Sequence, residues 1–440
     1  MKHTFRIGGI HPDASKTAAR RIVMQPLPMV AVVPLAQHIG APARPVVAKG
    51  DTVSRGQLMA EGASFVSAGL HAPISGVVKA IDSVVMPDGK PAMAIIISAS
   101  EADHQADTLA RQQYWNAVDA CDADRSLSGR LSPEQIRSCI SDAGIVGLGG
   151  AAFPSHVKLS VKPGVKARLL LINGCECEPF LMCDDALMCR WPAHVIEGVE
   201  LMMKAAGIPE AVIGIEDNKP QAIAALTSKL DPHSRISVVP LKTKYPQGGE
   251  KQLVEAVTGQ RIASGELPLS VGVVVQNVAT AFAVWQAVAK GQALIERVVT
   301  VTGDIPQEQR CNYIAAIGTP LSEFPFTLPD EARAIVGGPM MGRTAVCLDA
   351  PVTKATSGLT ILSDTRRRPV EPCIRCGACV DACPMGLEPY LLATYGRLHM
   401  WDEARAADVA DCLMCGACSY SCPSARPMLD FIRLAKQKSR

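Results

Sequence analysis

The chain has 440 residues, with 44 Lys and Arg set against 42 Asp and Glu for a formal net charge of +2. That length suggests two to four domains, and the even charge balance gives no electrostatic case for nucleic acid as a partner. No segment approaches the ~18–20 apolar residues that span a bilayer, and the start, Met1-Lys-His-Thr-Phe-Arg, lacks the apolar stretch of a secretory signal, so a cytoplasmic location is expected.

Residues 28–98 read as short β-segments with glycines at turn positions, as in Val46-Val-Ala-Lys-Gly50-Asp51-Thr-Val53-Ser-Arg-Gly56-Gln-Leu58 and His71-Ala-Pro73-Ile-Ser-Gly76-Val-Val78. They resemble the barrel-sandwich hybrid fold of lipoyl and biotinyl carrier domains. The piece matching the carrier tip, Glu61 to Leu70, contains no lysine, so a swinging cofactor arm is not expected. Residues 101–130 are polar and Ala/Asp-rich and read as a linker or loose helix. Ser132 and Pro133 then give a helix start, as N-cap and first helical residue. From 131 to 295 apolar runs alternate with helical patterns: Arg168 to Ile172, Ala211 to Ile215 and Val271 to Val275 read as buried parallel strands, with Pro192 to Ala206 and Gln221 to Leu230 as intervening helices. Residues 296–360 look like a small β-rich, β-grasp-like module, and 361–440 read as helical. The expected fold class is therefore multidomain α/β: a barrel-sandwich hybrid over 1–100, a linker over 101–130, an α/β domain with a parallel sheet over 131–295, the β-grasp-like module and a helical C-terminal module.

Two places carry chemistry. The first is Gly147-Leu-Gly149-Gly150-Ala-Ala-Phe153-Pro154-Ser-His-Val-Lys158. Closely spaced glycines let backbone N–H groups approach an anion. The loop lacks both the G-x-G-x-x-G pattern after a first strand and the G-K-[ST] of a P-loop, and alone it could be a plain strand–helix turn. It is followed by Asn173-Gly-Cys175-Glu176-Cys177-Glu178-Pro179 at the end of an expected buried strand, where ligands of open α/β sheets gather.

The second is a pair of runs, Cys373-x2-Cys376-x2-Cys379-x3-Cys383-Pro384 and Cys412-x2-Cys415-x2-Cys418-x3-Cys422-Pro423. Each has the spacing that holds a [4Fe–4S] cluster, with the fourth cysteine reaching the neighbouring cluster. Cys373, Cys376, Cys379 and Cys422 are thus assigned to one cluster, and Cys412, Cys415, Cys418 and Cys383 to the other. C-x2-C pairs also bind zinc, but two complete runs ending in Cys-Pro favour clusters. Cys175, Cys177, Cys183 and Cys189 fit no standard ligand spacing, and His11 and His71 read as structural.

The glycine loop and the Asn-x-x-Glu-x-Glu-Pro run resemble the FMN- and NADH-binding subunit of respiratory complex I, where the matching pieces read GRGGAGFP and CNADESEP. Tyr245-Pro-Gln-Gly248-Gly249-Glu250 and Asn277-Val-Ala-Thr280 agree as well. Over nearly the whole chain, from Gly8-Gly9-Ile-His11-Pro12 through Gly337-Gly338-Pro339-Met340-Met341-Gly342 to the cysteine runs, the sequence resembles the C subunits of Rnf complexes, ion-translocating ferredoxin:NAD oxidoreductases of the bacterial inner membrane. The resemblance implies that Gly147, Gly149, Gly150 and Lys158 cradle FMN, that Asn173, Glu176, Tyr245, Gly248, Gly249, Glu250, Asn277 and Thr280 contribute to the cofactor site, and that Glu178 faces the nicotinamide of NAD(H). It implies a peripheral, cytoplasmic-side subunit passing electrons between NADH and membrane subunits of the same complex, with ferredoxin as an indirect partner. Leu148, Ala152 and Cys175 depart from the complex I pattern; Ala152 matters if its backbone has φ > 0. A soluble reductase acting on a corrinoid or other acceptor, and an electron relay without NADH chemistry, are the alternative readings.

Overall fold

A computed structural model describes residues 3–122, 124, 126–161, 164–364 and 368–439; the extreme ends of the first and last expected domains, Met1 and Arg440, lie outside them. Near the N-terminus, a four-stranded sheet ordered Val30–Pro34, Pro91–Ser98, Gly76–Val85, Thr52–Val53 faces a three-stranded sheet of Arg44–Pro45, Leu58–Glu61 and Leu70–His71. Val33, Met59, Leu70, Val78, Ile95 and Ile97 fill the space between them. This is the expected barrel-sandwich unit. Its carrier-like tip is docked rather than swinging: Phe65 packs edge-on against His156, ring centroids 6.0 Å apart.

The α/β unit is a four-stranded parallel sheet ordered Ile236–Leu241, Glu210–Glu216, Leu169–Asn173, Val273–Asn277. Three of its strands match the expected apolar runs. The edge strand Ile236–Leu241 does not stand out in sequence, because only its ends are buried. Helices Pro192–Ala206 and Val278–Lys290 pack on the sheet and share one core with it. The helix Pro133–Asp142 starts as expected: Ser132 accepts from Gln135 N, and Gln135 accepts in return from the Ser132 amide.

Two boundaries differ from expectation. The segment 101–130, expected as a linker or loose helix, holds a packed 20-residue helix, Glu101–Ala120, N-capped by Ser100. Its buried residues are Asp107, Arg111, Trp115 and Val118. Arg111 pairs with buried Glu296 and donates 2.7 Å to the Ile314 carbonyl, and Trp115 Nε1 donates 3.0 Å to Glu296. The polar composition misled because the helix buries charges in pairs. Second, Ile22–Met24 belongs not to the barrel-sandwich unit but to the module after residue 295. It pairs in parallel with Cys311–Ala316, in a six-stranded mixed sheet with Glu296–Gly303, Gly358–Leu362, Arg333–Val336 and Arg343–Thr344. Among the described residues of 296–362 the only helices are single 3-10 turns, so this sheet has no helix of its own to grasp; Cys183–Arg190 of the α/β unit packs there instead.

From residue 368 the chain is helical apart from the cysteine loops. Pro389–Leu398 and Met428–Lys438 pack together with Trp401–Ala406 around Leu392, Ala404, Val409 and Ile432. The segment 3–21 straps the units together. Gly9 N donates 3.0 Å to the Ala382 carbonyl, and Ile10 exchanges backbone bonds of 2.9 and 2.8 Å with Tyr245.

Candidate functional site

The carboxyl ends of the parallel strands at Asn173 and Asn277, which lie side by side in register, form the floor of the first site. Val146 bridges Pro154, and Gly147 N donates 2.9 Å to the Phe153 carbonyl, so 147–153 closes into a loop with Gly149, Gly150 and Ala151 exposed. Ala152 has φ +53° and is 2% exposed. The left-handed turn survives the loss of glycine, at a cost of about 1 kcal/mol. Gly149 packs against the Asn277 amide, which a Cβ would overlap at 2.5 Å; among the described residues nothing lies within 4 Å of the position a Cβ would take on Gly150.

Thr280 is fully buried, and its hydroxyl accepts 2.9 Å from Leu148 N. Asn277 caps its helix, accepting from Ala279 N and Thr280 N, and donates 2.7 Å to Asp184. Both therefore shape the loop from beneath. Asn173 donates 2.9 Å to the Gly248 carbonyl and accepts from Cys175 N. Gly249 precedes the helix Glu250–Thr258. Lys158, on the short helix after the loop, donates 2.6 Å to Glu250 and 3.3 Å to the Val275 carbonyl. The sequence-chosen residues thus converge on one cradle of glycines, exposed amides, a lysine and two asparagines. Two buried polar atoms beside it, Ser155 Oγ and Gln276 Nε2, have no partner among the described residues. An anionic, hydrogen-bonding cofactor such as FMN fits that donor set.

The two glutamates are engaged by the protein. Glu176, at φ +44°, accepts 2.8 Å from Asp184 N and 3.2 Å from Asp185 N, meeting the positive end of the helix Cys183–Arg190. Glu178, expected to face a nicotinamide, accepts 2.7 and 2.8 Å at Oε1 from the amides of Met340 and Met341, and a Cβ on Gly338 would collide with it. Burial pushes its carboxyl up while those amides pull it down.

Several residues here carried no sequence signal. Lys16 donates to the carbonyls of Glu176, Glu178 and Leu181 at 2.8, 2.8 and 2.5 Å, clamping the glutamate loop. Lys219 and Glu216, each 2% exposed, pair at 3.4 Å below it. Burial, then the Glu176 charge, pushes Asp184 up to about 7. A glutamate and a lysine following an apolar strand, Ile215-Glu216-Asp-Asn-Lys219, was the one readable hint.

The second site is the cysteine module. Cys383, Cys412, Cys415 and Cys418 line one pocket, otherwise walled by apolar groups such as Leu387, Leu413 and Ile432. Four thiols around one cavity are the donor set a [4Fe–4S] cluster needs. Lys436 donates to the carbonyls of Ala410 and Cys412 at 2.8 and 2.6 Å, fixing that loop. Cys373 and Cys376 are exposed, and Cys379 and Cys422 half-buried, with Arg368 donating 3.4 Å to the Cys422 carbonyl. One set of cysteines is therefore inner and the other outer. The inner set abuts the first site: Tyr245 Oη donates 2.8 Å to the Cys415 carbonyl, and Tyr245, Ile10, Ala382, Cys415 and Ala417 share a core with Cys177 and Met340. Among the described residues no helix is long and apolar enough to cross a membrane.

Three family models match the chain: the RnfC barrel sandwich hybrid domain over residues 3–102, the Nuo51 FMN-binding domain over 140–286 and the 4Fe-4S dicluster domain over 369–426. The chain is 40% identical over 413 residues to the C subunit of the proton-translocating ferredoxin:NAD(+) oxidoreductase complex of Clostridium ljungdahlii, covering 92% of this chain and 87% of that one. It is 39% identical over 446 residues to the C subunit of the Na(+)-translocating ferredoxin:NAD(+) oxidoreductase complex of Acetobacterium woodii, covering 100% and 98%. Among solved structures, a chain of an NAD+-reducing [NiFe]-hydrogenase aligns with a TM-score of 0.54 at 19% identity over 81% of this chain and 76% of that one, which speaks for a shared fold.

Proposed function

The chain belongs to the family of C subunits of ion-translocating ferredoxin:NAD(+) oxidoreductase complexes, and from that premise we propose that it is the electron-input subunit of such a complex. In this reading FMN occupies the cradle at 147–158, NADH is the donor, and two [4Fe–4S] clusters occupy the inner and outer cysteine sets. Bound flavin supplies the conversion between a two-electron hydride and single electrons, and the clusters supply one-electron relays. The protein supplies position and charge. The loop amides and Lys158 receive the anionic end of the flavin, and Glu250 sets where the lysine head lies. Thr280 and Asn277 hold the loop against the strand ends. Lys16 and Lys219 offset the charge of Glu176 and Glu216 under the same floor.

The observation that carries the reading is the contact between the cradle and the inner cysteine set through Tyr245, beside an outer set that opens to solvent. That gradient of burial supports entry at the flavin and exit at Cys373 and Cys376, toward membrane subunits of the same complex docked on the exposed Val370 and Ile374. Peripheral placement on the cytoplasmic side of the inner membrane, and ferredoxin at the far end of the chain of carriers, belong to the same proposal. The alternative of a relay without NADH chemistry draws on the substituted loop, where Ala152 sits at φ +53°.

Rapid anaerobic mixing of the reconstituted protein with NADH tests the donor: the flavin band is expected to bleach within the mixing experiment. A flavin that stays oxidised in excess NADH refutes the input role.

A further inference from the structure

Three loops meet at one point between the two sites. The glutamate loop brings Glu178, the 337–342 loop brings the amides of Met340 and Met341, and the cysteine loop brings Cys415 and Gly416. Glu178 Oε1 accepts both amides, and a Cβ on Gly416 would lie 3.0 Å from the Met340 carbonyl oxygen. Tyr245 donates 2.8 Å to the Cys415 carbonyl. Glu178 Oε1 is thus held by the 337–342 loop, and Met340 of that loop shares a core with Tyr245 and Cys415.

We propose that Glu178 and Tyr245 are positioning residues for electron transfer: together they fix the inner cluster loop against the flavin cradle, and the Glu178 charge tunes the inner cluster. The inference rests on the flavin and cluster occupancy argued above. With flavin and clusters bound, the step they serve would move one electron from reduced flavin to the oxidised inner cluster, which would pass it to the outer cluster before taking the second; loss of both electrons would return a fully reduced flavin to its oxidised form and release its two protons to water. No bond of the polypeptide forms or breaks. A buried anion near a cluster disfavours the reduced form, which carries one more negative charge, so neutralising it favours reduction.

The test uses holoprotein carrying FMN and both clusters, with cluster potentials set by chemical mediators and read by EPR. In Glu178→Gln, whose amide oxygen still accepts from Met340 and Met341, the inner cluster's reduction equilibrium is expected to shift roughly tenfold toward the reduced form, about 59 mV for a one-electron couple, with the outer cluster unmoved; Glu178→Asp restores the wild-type value. In Tyr245→Phe, the rate of cluster reduction relative to flavin bleaching, followed by stopped flow, is expected to fall roughly tenfold. An unshifted inner cluster in Glu178→Gln overturns the proposal, as does an effect confined to the KM for NADH. So does an unchanged ratio of phases in Tyr245→Phe. The mediated potentials need no NADH, so a wild-type flavin that NADH fails to bleach sinks the donor assignment while leaving this measurement decisive.

Discussion

At the scale of single residues, the floor of the flavin cradle is held by buried charge. Asp184 donates its amide to Glu176, accepts the Asn277 side chain, and has its own carboxyl raised to about 7 by burial first and by the Glu176 carboxylate second. The unfolded chain releases that proton near pH 4, so between about pH 4 and 7 the native state binds one proton more than the unfolded state, and stability falls as pH rises. Asp184→Asn removes the titration while leaving an acceptor for Asn277. Relative to wild type it is expected to gain at least about 1 kcal/mol between pH 4 and 8, read as a difference in thermal midpoints that grows with pH. A constant difference across that range contradicts the assignment. Glu176→Ala tests the helix-end contact: losing an acceptor for two first-turn amides is expected to cost about 1 kcal/mol, whereas Glu176→Gln restores most of it.

At the scale of elements, what could be read from the sequence tracks how local each signal was. The Ser132–Pro133 start and the helix from Pro192 to Ala206 were legible because a cap, a proline and an apolar stripe lie within one segment. So were the buried strands at 169–173 and 273–277. The helix Glu101–Ala120 was not, because its buried Arg111 is matched by Glu296, 185 residues away, and no local pattern records such a partner. That distant pair makes a strong prediction. Arg111→Met leaves the buried Glu296 carboxylate to Arg55, at 3.0 Å, and the Trp115 indole, and is expected to destabilise by roughly 3–5 kcal/mol; chemical denaturation measures it, and a loss below about 1 kcal/mol would show that Arg55 and Trp115 suffice. Ile22–Met24 escaped for the same reason, since three residues pairing with a strand near 312 carry no periodicity of their own.

Across the whole molecule, the units are joined by contacts that a linear reading cannot supply. The cluster cysteines and the glycine loop were legible as motifs, yet the bond from Tyr245 to the Cys415 carbonyl, and the inward turn of Glu178, exist only once three loops are folded together. Lys354, 1% exposed and pushed down to about 7 by burial, donates 2.7 Å to the Gly69 carbonyl of the barrel-sandwich unit and 2.7 Å to the Gly144 carbonyl of the α/β unit. Lys354→Met strands both carbonyls and is expected to lower stability by about 2–4 kcal/mol, with early protease cleavage between these units as the local readout. Gly8, at φ +62°, lies where a Cβ would collide with the Cys383 carbonyl, so Gly8→Ala is expected to lower inner-cluster occupancy before it affects the outer cluster. In the proposed function, electrons enter at the flavin cradle and leave through the outer cluster. Stepwise anaerobic NADH titration of the reconstituted protein, followed by absorbance and EPR together, tests it most directly. Flavin bleaching is expected first and then the EPR signals of two reduced [4Fe–4S] clusters, with the inner one lost in Cys383→Ser; NADH that leaves both clusters EPR-silent while dithionite reduces them rules that route out.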